Sequence, residues 1–424
     1  MIARQDHDVV ILGAGPAGCT AATLLAQEGV DVGLVEKRSF PRYSVGESLL
    51  PYCYFTLERL GVLDCLEQSH FPRKYSVQFV TMDGRVSQPF YFDQHLDHPA
   101  AVTWQVVRSE FDQMLLDRAG QEGVKVYRQT HARELLQDTG GTVTGLRIDQ
   151  DGVQKDLKAK LTMDASGRNA FAANRLGWRV RDPQLKKVAL WTYFKGATRD
   201  PGRDAGATTV AYLPEKGWFW FIPLPDDLVS VGIVCEREYL YRRSRKFEEI
   251  FCHMIGQNRW IAEHLEPAQQ QGEYHITGDY SYRSRYCATN GLVLIGDAFA
   301  FLDPVFSSGV FLALKSGELA ADTAVTALRE NDVSGTRFEA YGSQLRQSIE
   351  AMRRLVYAFY DPEFRFKDLI MKYPHLQGDL TDCLIGNLEK DFTELFQAVA
   401  EFAEVPAPLE HGMPQASHSS VGRA

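Results

Sequence analysis

The chain has 424 residues, 45% of them apolar and 24% charged, which excludes a wholly disordered protein and allows a sizeable buried core. At roughly 150 residues per domain, this length predicts two or three structural units. With 46 Lys and Arg against 55 Asp and Glu the net charge is −9, which argues against nucleic-acid binding, since a phosphate backbone calls for clustered positive charge.

The seven cysteines (Cys19, Cys53, Cys65, Cys235, Cys252, Cys287 and Cys383) are scattered without a C-x-x-C pair, and the eleven histidines form no H-E-x-x-H. This predicts a reduced, cytoplasmic chain with no metal site and no disulfide frame. The start of the chain carries no signal-peptide pattern. The longest apolar stretch, 292–314, is broken by Asp297, Asp303 and Pro304, so no membrane span is expected.

In chain order, residues 8–12 read as a short buried strand, 17–28 as a helix ended by Gly29, and 30–36 as a second strand, which together make a βαβ unit. Residues 53–70 read as a helix, and 74–81 alternate with period two, placing Lys74, Ser76 and Gln78 on one face of a strand. A helix over 109–120, a strand at 125–127, and a hairpin and strand over 142–163 follow. Residues 185–235 are strand-rich, 243–266 helical, and 292–295 another buried strand. Helices are expected over 311–329 and 337–359. From Ala403 the composition turns to Pro, Ser and His, which reads as a mobile tail.

Gly13-Ala14-Gly15-Pro16-Ala17-Gly18 fits G-x-G-x-x-G, follows a strand, opens a helix and has Glu36 about twenty residues on. Gly13 permits the tight turn, Gly15 lets backbone approach a pyrophosphate, and Gly18 lets helix and sheet close up. The helix start at Pro16 and Ala17 attracts phosphate, and Glu36 suits a ribose hydroxyl pair. Far downstream, Leu294-Ile295-Gly296-Asp297-Ala298 repeats the strand-to-glycine-turn pattern.

These two segments, with Glu36-Lys37-Arg38 and Arg108-Ser109-Glu110-Phe111-Asp112, resemble the FAD-dependent monooxygenase-type enzymes over nearly the whole chain. The resemblance implies FAD as cofactor. It places Asp297 at the ribityl chain and Arg38 and Arg108 near the cofactor. It also implies an α/β fold in which a discontinuous Rossmann-like FAD-binding domain (1–75, 100–170, 285–335) is interleaved with a β-sheet substrate domain (76–99, 171–284). Helices over 336–402 and the tail over 403–424 complete it.

Four further segments are similar to those of flavin-dependent halogenases. The run Val45-Gly46-Glu47-Ser48 resembles a loop that covers the flavin, with Ser48 at the cofactor. Gly217-Trp218-Phe219-Trp220-Phe221-Ile222-Pro223 resembles the G-W-x-W-x-I-P motif, whose tryptophans keep substrate from the flavin. The nine residues Phe301, Leu302, Asp303, Pro304, Val305, Phe306, Ser307, Ser308 and Gly309 resemble F-x-x-P-x-x-S-x-G. That resemblance implies a halide on Ser308 and Gly309, Gly309 also near FAD, and Phe301, Pro304 and Phe306 in the active-site wall. Phe71-Pro72-Arg73-Lys74-Tyr75 resembles the segment that holds the halogenase lysine, although Ser76 stands where glycine is common.

The family chemistry implied is oxidation of chloride or bromide by O2 and reduced FAD (FADH2) to hypohalous acid, which Lys74 delivers to an electron-rich ring. A single dinucleotide fingerprint implies a separate flavin reductase. Phe306, in place of the glutamate of tryptophan-type enzymes, resembles halogenases of phenols and of carrier-bound pyrroles, while the short chain and the helical segment over 357–369 look most like the pyrrolyl-carrier-protein enzymes, so the substrate expected is a small aromatic, a pyrrole tethered to an acyl or peptidyl carrier protein or a phenolic ring. A geranylgeranyl-reductase-like oxidoreductase, an aromatic hydroxylase and a non-redox binding protein on the same fold are the rival readings.

Overall fold

The computed structural model describes residues 5–278 and 281–415. Val9, Val10 and Ile11 are wholly buried, the pattern of a strand covered on both faces. Their strand, His7–Leu12, pairs in parallel with Val32–Val35 and with Val153–Asp164. The sheet runs Ala288–Thr289, Leu292–Leu294, Val153–Asp164, His7–Leu12, Val32–Val35, Lys125–Tyr127, and Thr130–Gln137 and Val143–Gln150 extend it from Val153–Asp164. The helix Pro16–Gln27 packs between Arg108–Gln121 and Gly309–Arg329, so three distant segments meet at the carboxyl end of the first strand.

A second sheet of seven strands runs Gln269–Gly278, Lys187–Lys195, Leu228–Glu236, Trp218–Pro223, Thr208–Tyr212, Ser76–Val80, Phe90–Tyr91. One face packs Phe219, Phe221 and Ile233 against Phe251 and Trp260 of the helices Phe247–Ile255 and Arg259–Leu265. The opposite face carries Trp191, Trp218 and Trp220 into the core shared with the parallel sheet. The helices Glu339–Tyr360, Phe366–Lys372, Gln377–Ile385 and Thr393–Val399 follow. The architecture is α/β with an interleaved second sheet and a helical C-terminal region, as the sequence predicts.

Three expectations change in detail. The helix over 53–70 is two, Cys53–Arg59 and Leu63–Glu67, because Gly61 turns the chain at φ +70°. The helix over 243–266 is also two, and the Asn258 side chain accepts the Ile261 N–H at the second start. The strand over 74–81 breaks at Tyr75: Arg73–Lys74 pairs with Thr103–Trp104, and Ser76–Val80 joins the seven-stranded sheet.

The tail is seated through Gln415. The N–H of Gly412 donates to Arg285 O, that of Cys287 to Met413 O, and that of Gln415 to Ala288 O. Composition hides this, because the segment is held by backbone bonds to a strand edge. Residues 416–424 of the expected tail lie outside the described residues.

Candidate active site

The turn after the first strand is open where Gly15 lies. Gly13 has φ +110°, and a Cβ there would overlap the Ala165 carbonyl. A Cβ on Gly15 would meet only Arg42 Nη2, at 3.4 Å. Arg42 Nη2 also lies 3.2 Å from Asp112 Oδ2, and its Nε is buried without a partner. The helix that begins at Pro16, Ala17 and Gly18 has no acidic side chain in its first turn. Buried Glu36 accepts the N–H of Ala14 at 3.0 Å and of Arg38 at 2.7 Å, while the Arg38 side chain is exposed and donates to Tyr43 O.

Arg108 is buried, pairs with Asp112 through Nε and Nη2, and donates Nη1 to the carbonyls of Val45 and Gly46, holding the loop that contains Ser48. Asp297 lies in the turn Gly296–Ala298, whose backbone accepts the Tyr282 hydroxyl at 2.7 Å. Burial pushes its carboxyl up to about 6, opposed by Arg168 and Arg108.

Lys74 is 2% exposed. Its Nζ donates to Ser48 Oγ at 2.9 Å and to Leu49 O at 3.1 Å, and lies 5.4 Å from the centre of the Phe92 ring. Burial pulls the ammonium down to about 7. Ser48, expected at the cofactor, has its hydroxyl on Lys74 and on Thr208. Ser76 and Gln78 are buried as well but on other partners: Ser76 donates to Asp204, and Gln78 to Asp200 and Thr209. The break at Tyr75 separates them from Lys74.

Trp218 and Trp220 stand with ring centres 6.2 Å apart, and Trp191 lies 6.2 Å beyond Trp220. Gly232 faces Trp220 across the strands, and a Cβ there would overlap the indole. The Trp220 N–H donates to Ser230 Oγ, and the Trp218 N–H to Tyr360 OH, which in turn donates to Asp303 Oδ2. Phe306 meets Phe359 edge to face at 5.9 Å, and Phe359 meets Trp218 at 6.5 Å, so Phe306 and the tryptophans share one aromatic wall. Phe301 belongs to a different sheet, stacked on Tyr282 with Arg168 beside its ring.

Pro304 opens a single turn capped by Asp303, whose carboxyl burial pushes up to about 6. Ser307 then adopts φ +55°, which starts the 21-residue helix Gly309–Arg329 behind buried Ser308. The Ser308 side chain makes no capping bond, that first turn holds no acid, and Gly309 has open space where a Cβ would be. An uncapped helix start facing open space suits an anion.

Residues 6–353 match the family model described as FAD binding domain. The chain is 30% identical over 442 residues to the 1H-pyrrole-2-carbonyl peptidyl-carrier-protein chlorinase of Pseudomonas fluorescens, spanning 99% of this chain and 97% of that protein. It is 33% identical over 340 residues to the corresponding brominase of Pseudoalteromonas luteoviolacea, across 80% of this chain and 81% of that one. The chain belongs to the flavin-dependent halogenases.

Among solved structures, a flavin-dependent brominase matches this halogenase with a TM-score of 0.84 at 28% identity, covering 93% of this chain and 97% of that one. The myxobacterial chondrochloren halogenase matches with a TM-score of 0.80 at 31% identity, covering 94% and 96%. The protein is a FAD-dependent halogenating enzyme. Its residues fit the cofactor: the Gly15 opening, the helix start behind it and the unpartnered Arg42 Nε suit a pyrophosphate. Among the described residues no helix is long and apolar enough to cross a membrane.

Sequence reasoning missed Arg42, Thr208 and Tyr360. Arg42 stands in the loop before Lys74, where only the motif carries a signal. Thr208 and Tyr360 enter through contacts 160 residues from Ser48 and 142 from Trp218, and no spacing announces those.

Proposed function

We propose that this halogenase takes FADH2 from a separate flavin reductase, oxidises chloride or bromide with O2, and passes the halogen through Lys74 to an electron-rich ring, a pyrrole tethered to a carrier protein or a phenol. Reduced FAD, when bound, supplies the electrons with which O2 converts halide and a proton to hypohalous acid and water. The segment 13–18 with Arg42 holds the pyrophosphate, Glu36 a ribose and Asp297 the ribityl chain, while Arg108 fixes the covering loop. The N–H groups at Ser308 and Gly309 hold the halide. Trp218, Trp220, Phe306 and Phe359 keep water from the reagent.

At Lys74 the neutral amine takes the halogen: an N–X bond forms, the O–X bond and one N–H bond break, and water leaves. Segments 1–75, 100–170 and 285–335 then form the cofactor unit, with 76–99 and 171–284 forming the substrate unit. The observation that carries this reading is a lysine shut from water among neutral partners, facing no carboxylate in hydrogen-bond reach among the described residues. Both carrier-protein relatives support the tethered substrate.

The test is the purified protein with a flavin reductase, NADH, bromide or chloride, and either pyrrole-2-carbonyl carrier protein or free phenols, read by intact-mass spectrometry. Halogenated carrier is expected, and its loss on Lys74→Ala with FAD still bound. Unhalogenated products throughout, or full yield from Lys74→Ala, would count against the reading.

A further inference from the structure

We propose that the hydroxyls of Ser48 and Thr208, anchored by Gln105, form a reversible hydrogen-bond relay that positions Lys74 in both of its protonation states. This rests on the reading of Lys74 as the group that carries the halogen. Halogen capture uses the neutral amine, and holding hypohalous acid by donation is best done by the ammonium. A side chain that alternates between the two needs surroundings that accept a hydrogen bond in one state and donate one in the other. A carboxylate can only accept. Hydroxyls can do both, because the proton rotates about the C–O bond.

The geometry supplies such a chain. Ser48 Oγ lies 2.9 Å from Lys74 Nζ and 2.8 Å from Thr208 Oγ1. Gln105 Nε2 donates to Thr208 Oγ1 and to the Gly206 carbonyl, both at 2.9 Å. The Gly206 carbonyl needs a donor, which fixes the orientation of the amide, so Thr208 always accepts from Gln105 and keeps its own proton free. With Lys74 as ammonium, Nζ donates to Ser48 and Ser48 donates to Thr208. With Lys74 neutral, both hydroxyls reverse: Thr208 donates to Ser48, and Ser48 donates to the amine lone pair. No heavy atom moves. All four residues are buried, so bulk water cannot replace the relay.

The charged surroundings leave this role to the hydroxyls. Cys53, from the helix behind Lys74, has its thiol pushed up to about 12 by burial and is neutral. In Gly202–Gly206, Asp204 is engaged by Ser76 and Tyr91, and Arg203 pairs with Asp93 from the turn that carries Phe92. On the paired strand, Thr103 donates to Leu50 O, and on Lys74's own strand exposed Arg73 donates to Glu67 O. Ser48 and Thr208 are thus positioning residues for Lys74.

The test compares wild type with Ser48→Ala, Thr208→Val, Ser48→Thr and Lys74→Ala. Three readouts are FAD retention by absorbance, halogenation kcat/KM against pH, and the Lys74 titration followed through 13C at its Cε, assigned with Lys74→Met. Ser48→Ala removes an acceptor for the ammonium. Thr208→Val leaves the Ser48 proton no partner except the neutral amine. Both are expected to keep FAD, to lower the Lys74 midpoint by about one pH unit, and to cut kcat/KM by about tenfold or more. The acid limb of the pH profile should move down with the midpoint, and Ser48→Thr should restore both.

Loss of FAD from Ser48→Ala with an unmoved Lys74 midpoint would make Ser48 a cofactor contact and overturn the relay. So would wild-type midpoints and rates in both variants. Full product yield from Lys74→Ala would instead remove the underlying role of Lys74, an outcome told apart because the carbon titration does not depend on product.

Discussion

An ammonium group removed from water without a carboxylate partner loses hydration it does not regain, and Lys74 meets this by releasing its proton near pH 7, far below the usual lysine range. The consequence for stability has a definite sign. Below pH 7 both the folded and unfolded chains carry the ammonium, and the folded state bears the full burial penalty. Between pH 7 and the ordinary value of 10.5 the unfolded chain holds a proton that the folded chain has lost, so stability rises with pH; above 10.5 the difference is gone. Lys74→Met, which fills the space without a charge, should therefore melt at a higher temperature than wild type at pH 7. Its advantage should shrink by at most about 1.4 kcal/mol per pH unit as the pH climbs toward 10.5. Calorimetry of the cofactor-free protein across that range checks it; a constant difference would mean that Lys74 does not titrate there. The site proposed to serve the chemistry is, on this argument, a liability to the fold.

At the scale of elements, the βαβ unit was legible because each of its parts has a local cause: a buried strand, a glycine turn and an apolar helix. Gly15 shows how far that legibility reaches. Its φ of −83° and ψ of −176° are open to any side chain, and only Arg42 lies near its Cβ position, so the glycine is not required by the fold. Gly15→Val should leave thermal stability of the cofactor-free protein near wild type and abolish FAD retention, read as the flavin-to-protein absorbance ratio after gel filtration. A variant that keeps its flavin would refute the cradle. Gly232 is the converse case. Sequence gives no reason for it, yet it lets the Trp220 indole lie against the neighbouring strand. Gly232→Ala should displace Trp220 and destabilise by about 1–3 kcal/mol, measured by urea unfolding. Cross-strand partners of this kind escaped the sequence because they depend on register, and so did the break at Tyr75 that parts Lys74 from Ser76.

For the whole molecule, the two sheets and the helical C-terminal region follow from patterning, whereas the closing of the chain upon itself does not. The segment after Ala403 reads as a tail because its composition turns to Pro, Ser and His, but its bonds run to places no local pattern can name. Arg353 donates to Ala407 O at 2.7 Å, Leu409 N–H to Glu350 Oε2 at 3.2 Å, and Glu404 N–H to Asp361 Oδ2 at 3.0 Å. His411 stacks on Phe299 at 6.0 Å, and a Cβ on Gly412 would come within 2.5 Å of that ring. Phe299 stands two residues after Asp297, so this segment braces the turn proposed to hold the ribityl chain. Removing it would uncover Phe299 and Cys287 and leave the buried Glu350–Arg353 pair facing water on one side. Burial holds His411 down at about 4, below its ordinary 6.5, against the pull of Glu350 and with Arg283 and Arg346 opposing its charge. The unfolded chain therefore binds the extra proton between those values, and the brace weakens as the pH falls through them. Chains ending at Ala403, and the milder Gly412→Val, should bind FAD several-fold more weakly than the full chain, as followed by flavin fluorescence, and wild type should lose affinity between pH 6.5 and 4 more steeply than either. Unchanged FAD affinity in both variants, with Lys74-dependent halogenation intact, would show that the segment covers the turn without holding it.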